Sequence, residues 1–98
     1  MATYIMLAHY TQKPIESLKQ SLTRLDAARK AFEARGAELK EFYFATGRYA
    51  FVAVVEAPND RTIAKCTLDL VSDGSIATET LRVLKEDEFR KFMETHHE

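Results

Sequence analysis

Two β-favouring runs, residues 38 to 46 and 49 to 56, are separated by only Gly47 and Arg48. Nothing longer than a tight turn fits between them, so they are expected to pair antiparallel as a hairpin, Thr46 opposite Tyr49, with Gly47 serving the turn. On either side of this hairpin the apolar residues change to a helical period. From Pro14, a residue tolerated in the first helical turn, Ile15, Leu18, Leu22, Leu25, Ala28 and Phe32 recur at three- and four-residue steps. Gly36 then offers the left-handed conformation that commonly ends a helix. Pro58 closes the second run of the hairpin, Asn59 or Asp60 can cap a further helix carrying Ile63, Thr67, Leu70 and Val71 inward, and Gly74 closes that helix. The outer segments "TYIMLAHY" and "SIATETLRVL" are short and rich in aromatic and β-branched types, which favours strands.

The order is therefore β-α-β-β-α-β, the split plan of an α+β, ferredoxin-like domain with one four-stranded antiparallel sheet. Right-handed crossovers put the first and third strands at its centre, and both helices on one face. "EDEFRKFMETHHE" adds a short terminal helix at about 86–94 and a tail at 95–98, so residues 1–98 read as a single domain.

Charge and composition narrow the function. Fourteen basic residues against fifteen acidic ones leave no footprint for binding a phosphate backbone, and no nucleic-acid partner is expected. A single cysteine excludes an internal disulfide framework and suits a reducing, cytoplasmic setting. No apolar run approaches the roughly 20 residues needed to span a bilayer, and "MATYIMLAHY" lacks the basic start of a cleaved leader.

The sheet has a second face, and alternation along the strands nominates its residues. If Ile5, Leu7, Val52, Val54, Leu81 and Val83 face the helices, the open side carries Tyr4, Met6, Ala8 and Tyr10 from the first strand. Phe42, Phe44, Tyr49, Phe51, Ala53 and Val55 come from the hairpin, with Ile76, Thr78, Thr80 and Arg82 from the last strand. Four strands about 5 Å apart make a plane of about 400 Å², as large as the largest apolar patch most monomers leave in water. Burying several hundred Å² per subunit against a second copy gains on the order of 10 kcal/mol before association costs, and an isologous contact is the commonest way to do so.

Few residues here have the chemistry of a catalyst. His9, at the end of the first strand, can exchange protons near neutral pH and is expected to point towards the helices beside Tyr43. His9 and Tyr49 are the catalytic candidates. Tyr4, Tyr49, Thr78, Thr80 and Arg82 would project between two stacked sheets, forming a candidate site for a small apolar or anionic molecule, with Arg82 requiring Glu79, a partner's acid or a bound anion. Glu41 and Glu79 are expected on the helix side. His96 and His97 belong to a solvated tail, and Cys66 to the second helix as filler. No metal-ligand spacing, phosphate loop or cofactor motif is present, so no metal and no cofactor are expected.

Two resemblances follow from these residues. "RYAFVAV" is similar to the stacking strand of an RNA-recognition motif, which shares this strand order; but Gly47 precedes Arg48 where that motif has the basic residue first, and no basic hairpin loop is present. More extensively, "MATYIMLAHYTQ", "GRYAFVAVVEAPND" and "TETLRVLKEDEF" together resemble the GYD domain family over about residues 1 to 92. That resemblance implies a dimeric α/β-barrel and a function largely unassigned. It also implies a Gly, Tyr, Asp signature, of which Gly47 and Tyr49 are present and Ala50 stands in the place of the Asp. Three readings stay open: a homodimer holding a small molecule between its sheets, a cofactor-independent enzyme of the dimeric α/β-barrel type, and a surface that only dimerises or binds another protein.

Overall fold

The computed structural model describes residues 1–11, 18–72 and 74–95, with the side chains of 18–20 outside the description. Its elements run β1 (Ala2–Tyr10), α1 (Leu18–Ala34), β2 (Glu38–Phe44), β3 (Phe51–Ala57), α2 (Asp60–Val71), β4 (Ile76–Val83) and α3 (Glu86–Thr95). All strand pairs are antiparallel and the sheet order is β2-β3-β1-β4, with β1 and β3 central. This is the ferredoxin-like arrangement the element order predicts. The expected opening of α1 at Pro14 and Ile15, and the tail histidines His96 and His97, lie outside the described residues.

Local chemistry sets the boundaries. α1 ends in a Schellman motif: the Ala37 N–H donates to the Phe32 carbonyl at 2.9 Å and the Gly36 N–H to that of Glu33 at 3.0 Å. Gly36 takes φ +84° to allow it. At the start of α2 the Asn59 side chain accepts from the Thr62 N–H at 2.9 Å, so of the two expected caps Asn59 is the one used. α3 is held by its own residues, with the Lys85 N–H donating to Glu88 at 2.8 Å and Arg90 paired with Glu86 one turn away.

The hairpin keeps its expected register but not its expected length. Phe44 pairs with Phe51 and Tyr43 with Val52, the alignment that would oppose Thr46 to Tyr49, yet strand pairing stops at Phe44 and Phe51. Ala45 N–H donates to the Ala50 carbonyl at 2.8 Å, while the Ala50 N–H turns sideways to the Ala8 carbonyl of β1 at 2.7 Å. Residues 46–49 therefore form a loop, wider than the two-residue turn expected, and Tyr49 is released from the strand. Further along, the register slips between Leu39 and Glu41, leaving Lys40 as an extra residue in a bulge. The bulge lets Leu39 and Phe42, three apart in sequence, turn to the same side.

That side is the helix side, and here the expectation is overturned. The core contains Tyr4, Met6, Ala53 and Val55 from the sheet, packed with Phe32 of α1 and with Ile63 and Cys66 of α2. Ala8 and Ala57 are wholly buried. Ile5, Leu7, Val52, Val54 and Val83 are only half-buried, and Leu81 is 46% exposed, because they point away from the helices. Alternation sorts the residues into the correct two sets, Tyr49 excepted, but the sets occupy the opposite sides from those expected. The reason is steric: helix side chains as large as Phe32 and Ile63 need shallow ground, and the alanines at 8, 53 and 57 provide it. Charge agrees, since His9, Glu41, Glu56 and Glu79 all belong to the other set, which keeps access to water.

Ala8→Leu should accordingly behave as an overpacked core substitution, costing about 1–3 kcal/mol in urea unfolding. A cost near zero would place Ala8 on the open side and contradict the assignment.

Candidate functional site

On the open side, two strands and the hairpin loop bring three polar groups into a row. His9 is the last outward residue of β1 and is exposed. Tyr49, freed from β3 by the loop, lies beside it with ring centroids 6.3 Å apart and a tilt of 55°. The Tyr49 hydroxyl continues across β1 and donates to Glu79 Oε1 of β4 at 2.8 Å. Arg48 completes the group with its guanidinium 5.8 Å from the Tyr49 ring centre. The hydrogen bond to the Glu79 carboxylate is the main reason the phenol ionises above its ordinary 10.0, with desolvation adding in the same direction. Tyr49 is therefore a neutral donor at physiological pH. The row can hold or pass a proton and can bind a polar group through Arg48, His9 and Tyr49.

The two catalytic candidates read from the sequence, His9 and Tyr49, are thus neighbours. His9 does not point towards the helices as expected; it shares the open side with Tyr43, and both face water. Glu79 and Glu41 likewise lie on the open side and not towards the helices. Glu79 was not expected in this row, and its signal was its pairing position: opposite Leu7, one pleat from His9, on the same face.

The ligand-binding set divides. Of Tyr4, Tyr49, Thr78, Thr80 and Arg82, only Tyr49 is on the open side. Tyr4 is buried against the helices, its hydroxyl donating to Asp60 in the first turn of α2; desolvation, and then Asp60, raise its pKa. Thr78 and Thr80 pair with Ala8 and Met6 and share their side. Arg82 pairs with Tyr4, sets its guanidinium 5.7 Å from that ring and donates to the Val83 carbonyl. It is exposed rather than enclosed in an apolar lumen, so the reason for expecting an anion there disappears. Phe51 also leaves the open side and packs on Phe42 at 5.2 Å, which separates the two aromatic residues that gave the likeness to an RNA-stacking strand. Cys66 is buried in the core, where desolvation raises its thiol pKa. Among the described residues no group of three or more His, Cys, Asp or Glu side chains could hold a metal ion.

The chain belongs to the GYD domain family, which it matches over residues 4–93. This GYD protein has a relative of similar length: it is 34% identical over 85 residues to the glutamine synthetase and cystathionine beta-lyase binding protein of Thermus thermophilus, covering 86% of this chain and 90% of that one. Solved structures share the fold. One is the leucine response regulatory protein of Mycobacterium tuberculosis, with TM-score 0.64 and 12% identity over 86% of this chain; the GYD chain spans only 51% of that regulator. Another is a protein from Thermus thermophilus with TM-score 0.56 and 22% identity, covering 87% of this chain and 95% of the other.

The Tyr49–Glu79 bond has a spectroscopic consequence. In an ultraviolet pH titration referenced to Tyr49→Phe, the Tyr49 phenol should ionise above 10.0, and Glu79→Gln should bring it down. An unchanged midpoint in Glu79→Gln would show that the contact does not form in solution.

Proposed function

We propose that this GYD protein is a cytoplasmic homodimer, closed sheet to sheet, that serves as a binding protein for a metabolic enzyme. The observation that carries the reading is the apolar open side of the sheet, with Ile5, Leu7, Val52, Val54, Leu81 and Val83 contiguous across three strands and, among the described residues, none of them in the core that α1 and α2 cover. Such a surface is self-complementary about a twofold axis, and its size suits an isologous contact.

The terminal helix supports the same arrangement. α3 contributes no buried residue, and Phe89, Phe92 and Met93 form one stripe, each about half exposed. Its base is tied to the open side by the Lys85 ammonium, 3.0 Å from the Glu56 carboxylate beside the nearly covered Thr3. The stripe offers further apolar surface to a second copy that lies on the open side. Binding of an enzyme is supported by the name of the Thermus thermophilus relative, which is of matching length. The sparse catalytic inventory is in keeping with it. No helix of the described residues is long and apolar enough to cross a membrane.

A second reading is a cofactor-independent enzyme, favoured by the convergence of His9, Tyr49 and Glu79. In it His9 would take or give the proton while Tyr49 donates to a developing negative charge. The small-molecule site between stacked sheets is correspondingly redrawn around this row, since Tyr49 is its one surviving member.

Sedimentation of the wild type should give a dimer. Val54→Lys, which puts a cation at the centre of the contact, should weaken it by about 100-fold or more, as expected for several kcal/mol of unpaired buried charge. The wild-type dimer, immobilised, should retain purified glutamine synthetase or cystathionine beta-lyase of the same organism. A monomeric wild type would remove the dimer, and failure with both enzymes would remove the adaptor role.

A further inference from the structure

On the opposite side of the sheet from the proposed dimer contact, α1 seats fully on the strands only at Phe32, and Leu25 and Ala28 on the same helix face are half-buried. Beneath those earlier turns lies a cavity of about 370 Å³, lined from α1 by positions 21, 25, 28 and 32. That volume is within the roughly 300–1,000 Å³ of small-molecule sites. Side-chain ties hold the helix at this height. Arg29 Nη1 donates to the Leu39 carbonyl of β2 at 2.8 Å, and Arg35 pairs with Asp69 of α2 through bonds of 2.6 and 2.9 Å.

The wall facing α1 is aromatic. Phe42, Phe44 and Phe51 of the hairpin line it, the rings of Phe42 and Phe51 5.2 Å apart and tilted by 33°. Phe44 at the edge is 72% exposed, a large apolar surface that an occupant would cover. The described lining holds no acidic side chain, and its one charged residue, Arg24, is already engaged, its Nη1 donating to Ser75 Oγ at 2.7 Å. Water is a poor occupant, since it needs two to four polar partners; Ser21 Oγ, buried in this wall, has no hydrogen-bond partner.

Size and polarity select among the remaining occupants. Two turns of helix, about 11 Å long and 10–12 Å across, fill roughly 1,000 Å³ and do not fit. An extended segment would bring peptide N–H and C=O groups that carbon walls leave unpaired. A dry apolar cavity of about 150 Å³ takes up one benzene ring, so this one has room for about two rings or more. Offset or edge-on packing against the phenylalanines favours rings over alkyl chains.

We propose that this cavity binds an uncharged aromatic molecule of two or three rings, held between α1 and the three hairpin phenylalanines. The site lies across the sheet from the dimer contact, so it stands or falls independently of the assembly, and it includes none of the candidates chosen between the sheets.

The test uses the full chain and N-phenyl-1-naphthylamine, an uncharged dye whose emission rises in apolar surroundings. Titration should saturate at one dye per chain. Anilinonaphthalene sulfonate, the same ring system carrying a negative charge, should bind at least tenfold more weakly. Biphenyl, which has no polar atom, should displace the dye from the wild type. Ala28→Phe and Ser21→Leu each fill the cavity from a different turn of α1; each should keep the far-ultraviolet dichroism spectrum and bind the dye tenfold or more weakly. Absence of binding, failure of biphenyl to compete, or full binding by either folded variant would overturn the site. A dye held on the open side would be lost in Val54→Lys and kept in both filled variants, which would equally overturn it. Equal affinity for the sulfonate would overturn the uncharged class.

Discussion

A four-stranded sheet with apolar residues on both sides and two helices long enough to cover only one is the constraint from which the rest of this structure follows. The helices settle on the side made shallow by Ala8, Ala53 and Ala57, where Phe32, Ile63 and Cys66 can approach the strands. Tyr4 reinforces that choice, because its hydroxyl on the same side reaches Asp60 at the start of α2. The opposite side is left with Ile5, Leu7, Val52, Val54, Leu81 and Val83, and with every ionisable group that the central residues of the sheet carry outward. Hydrophobic burial alone does not distinguish the two sides; the size of the side chains and the placement of charge do.

This explains what was legible beforehand. Element order, strand order, the glycine that ends α1 and the Asn59 cap are local or topological consequences of period, turn chemistry and handedness, and all stand in the structure. Alternation also sorted the strand residues into the right two sets. Choosing which set meets the helices required weighing three alanines against a run of valines and leucines, and apolarity favoured the wrong set. The clue available in the sequence was His9, Glu41, Glu56 and Glu79, which alternation places together and which helices could not have covered without partners.

The candidate row of His9, Tyr49 and Glu79 was half legible for a related reason. Tyr49 belongs by alternation with Phe51, yet the two face opposite ways, because β3 begins only at Phe51, next to the Ala50 N–H that bonds to the Ala8 carbonyl of β1. A single backbone hydrogen bond thus moves the tyrosine to the open side and towards Glu79. The same loop separates the aromatic pair that made the strand resemble an RNA-stacking surface. Four of the five residues once grouped as a ligand site, Tyr4, Thr78, Thr80 and Arg82, went with the helices when the sides exchanged. α1, meeting the sheet near its carboxyl end through Phe32, leaves its earlier turns spanning a cavity instead of filling it.

Which side of the sheet meets another molecule is open to direct observation. Mixing isotope-labelled and unlabelled copies and recording only nuclear Overhauser contacts between different chains reads the contact surface residue by residue. The account predicts intermolecular contacts to the methyl groups of Ile5, Leu7, Val52, Val54 and Leu81. Intermolecular contacts arising instead from Met6, Ala8 and Val55, or none at millimolar concentration, would contradict it.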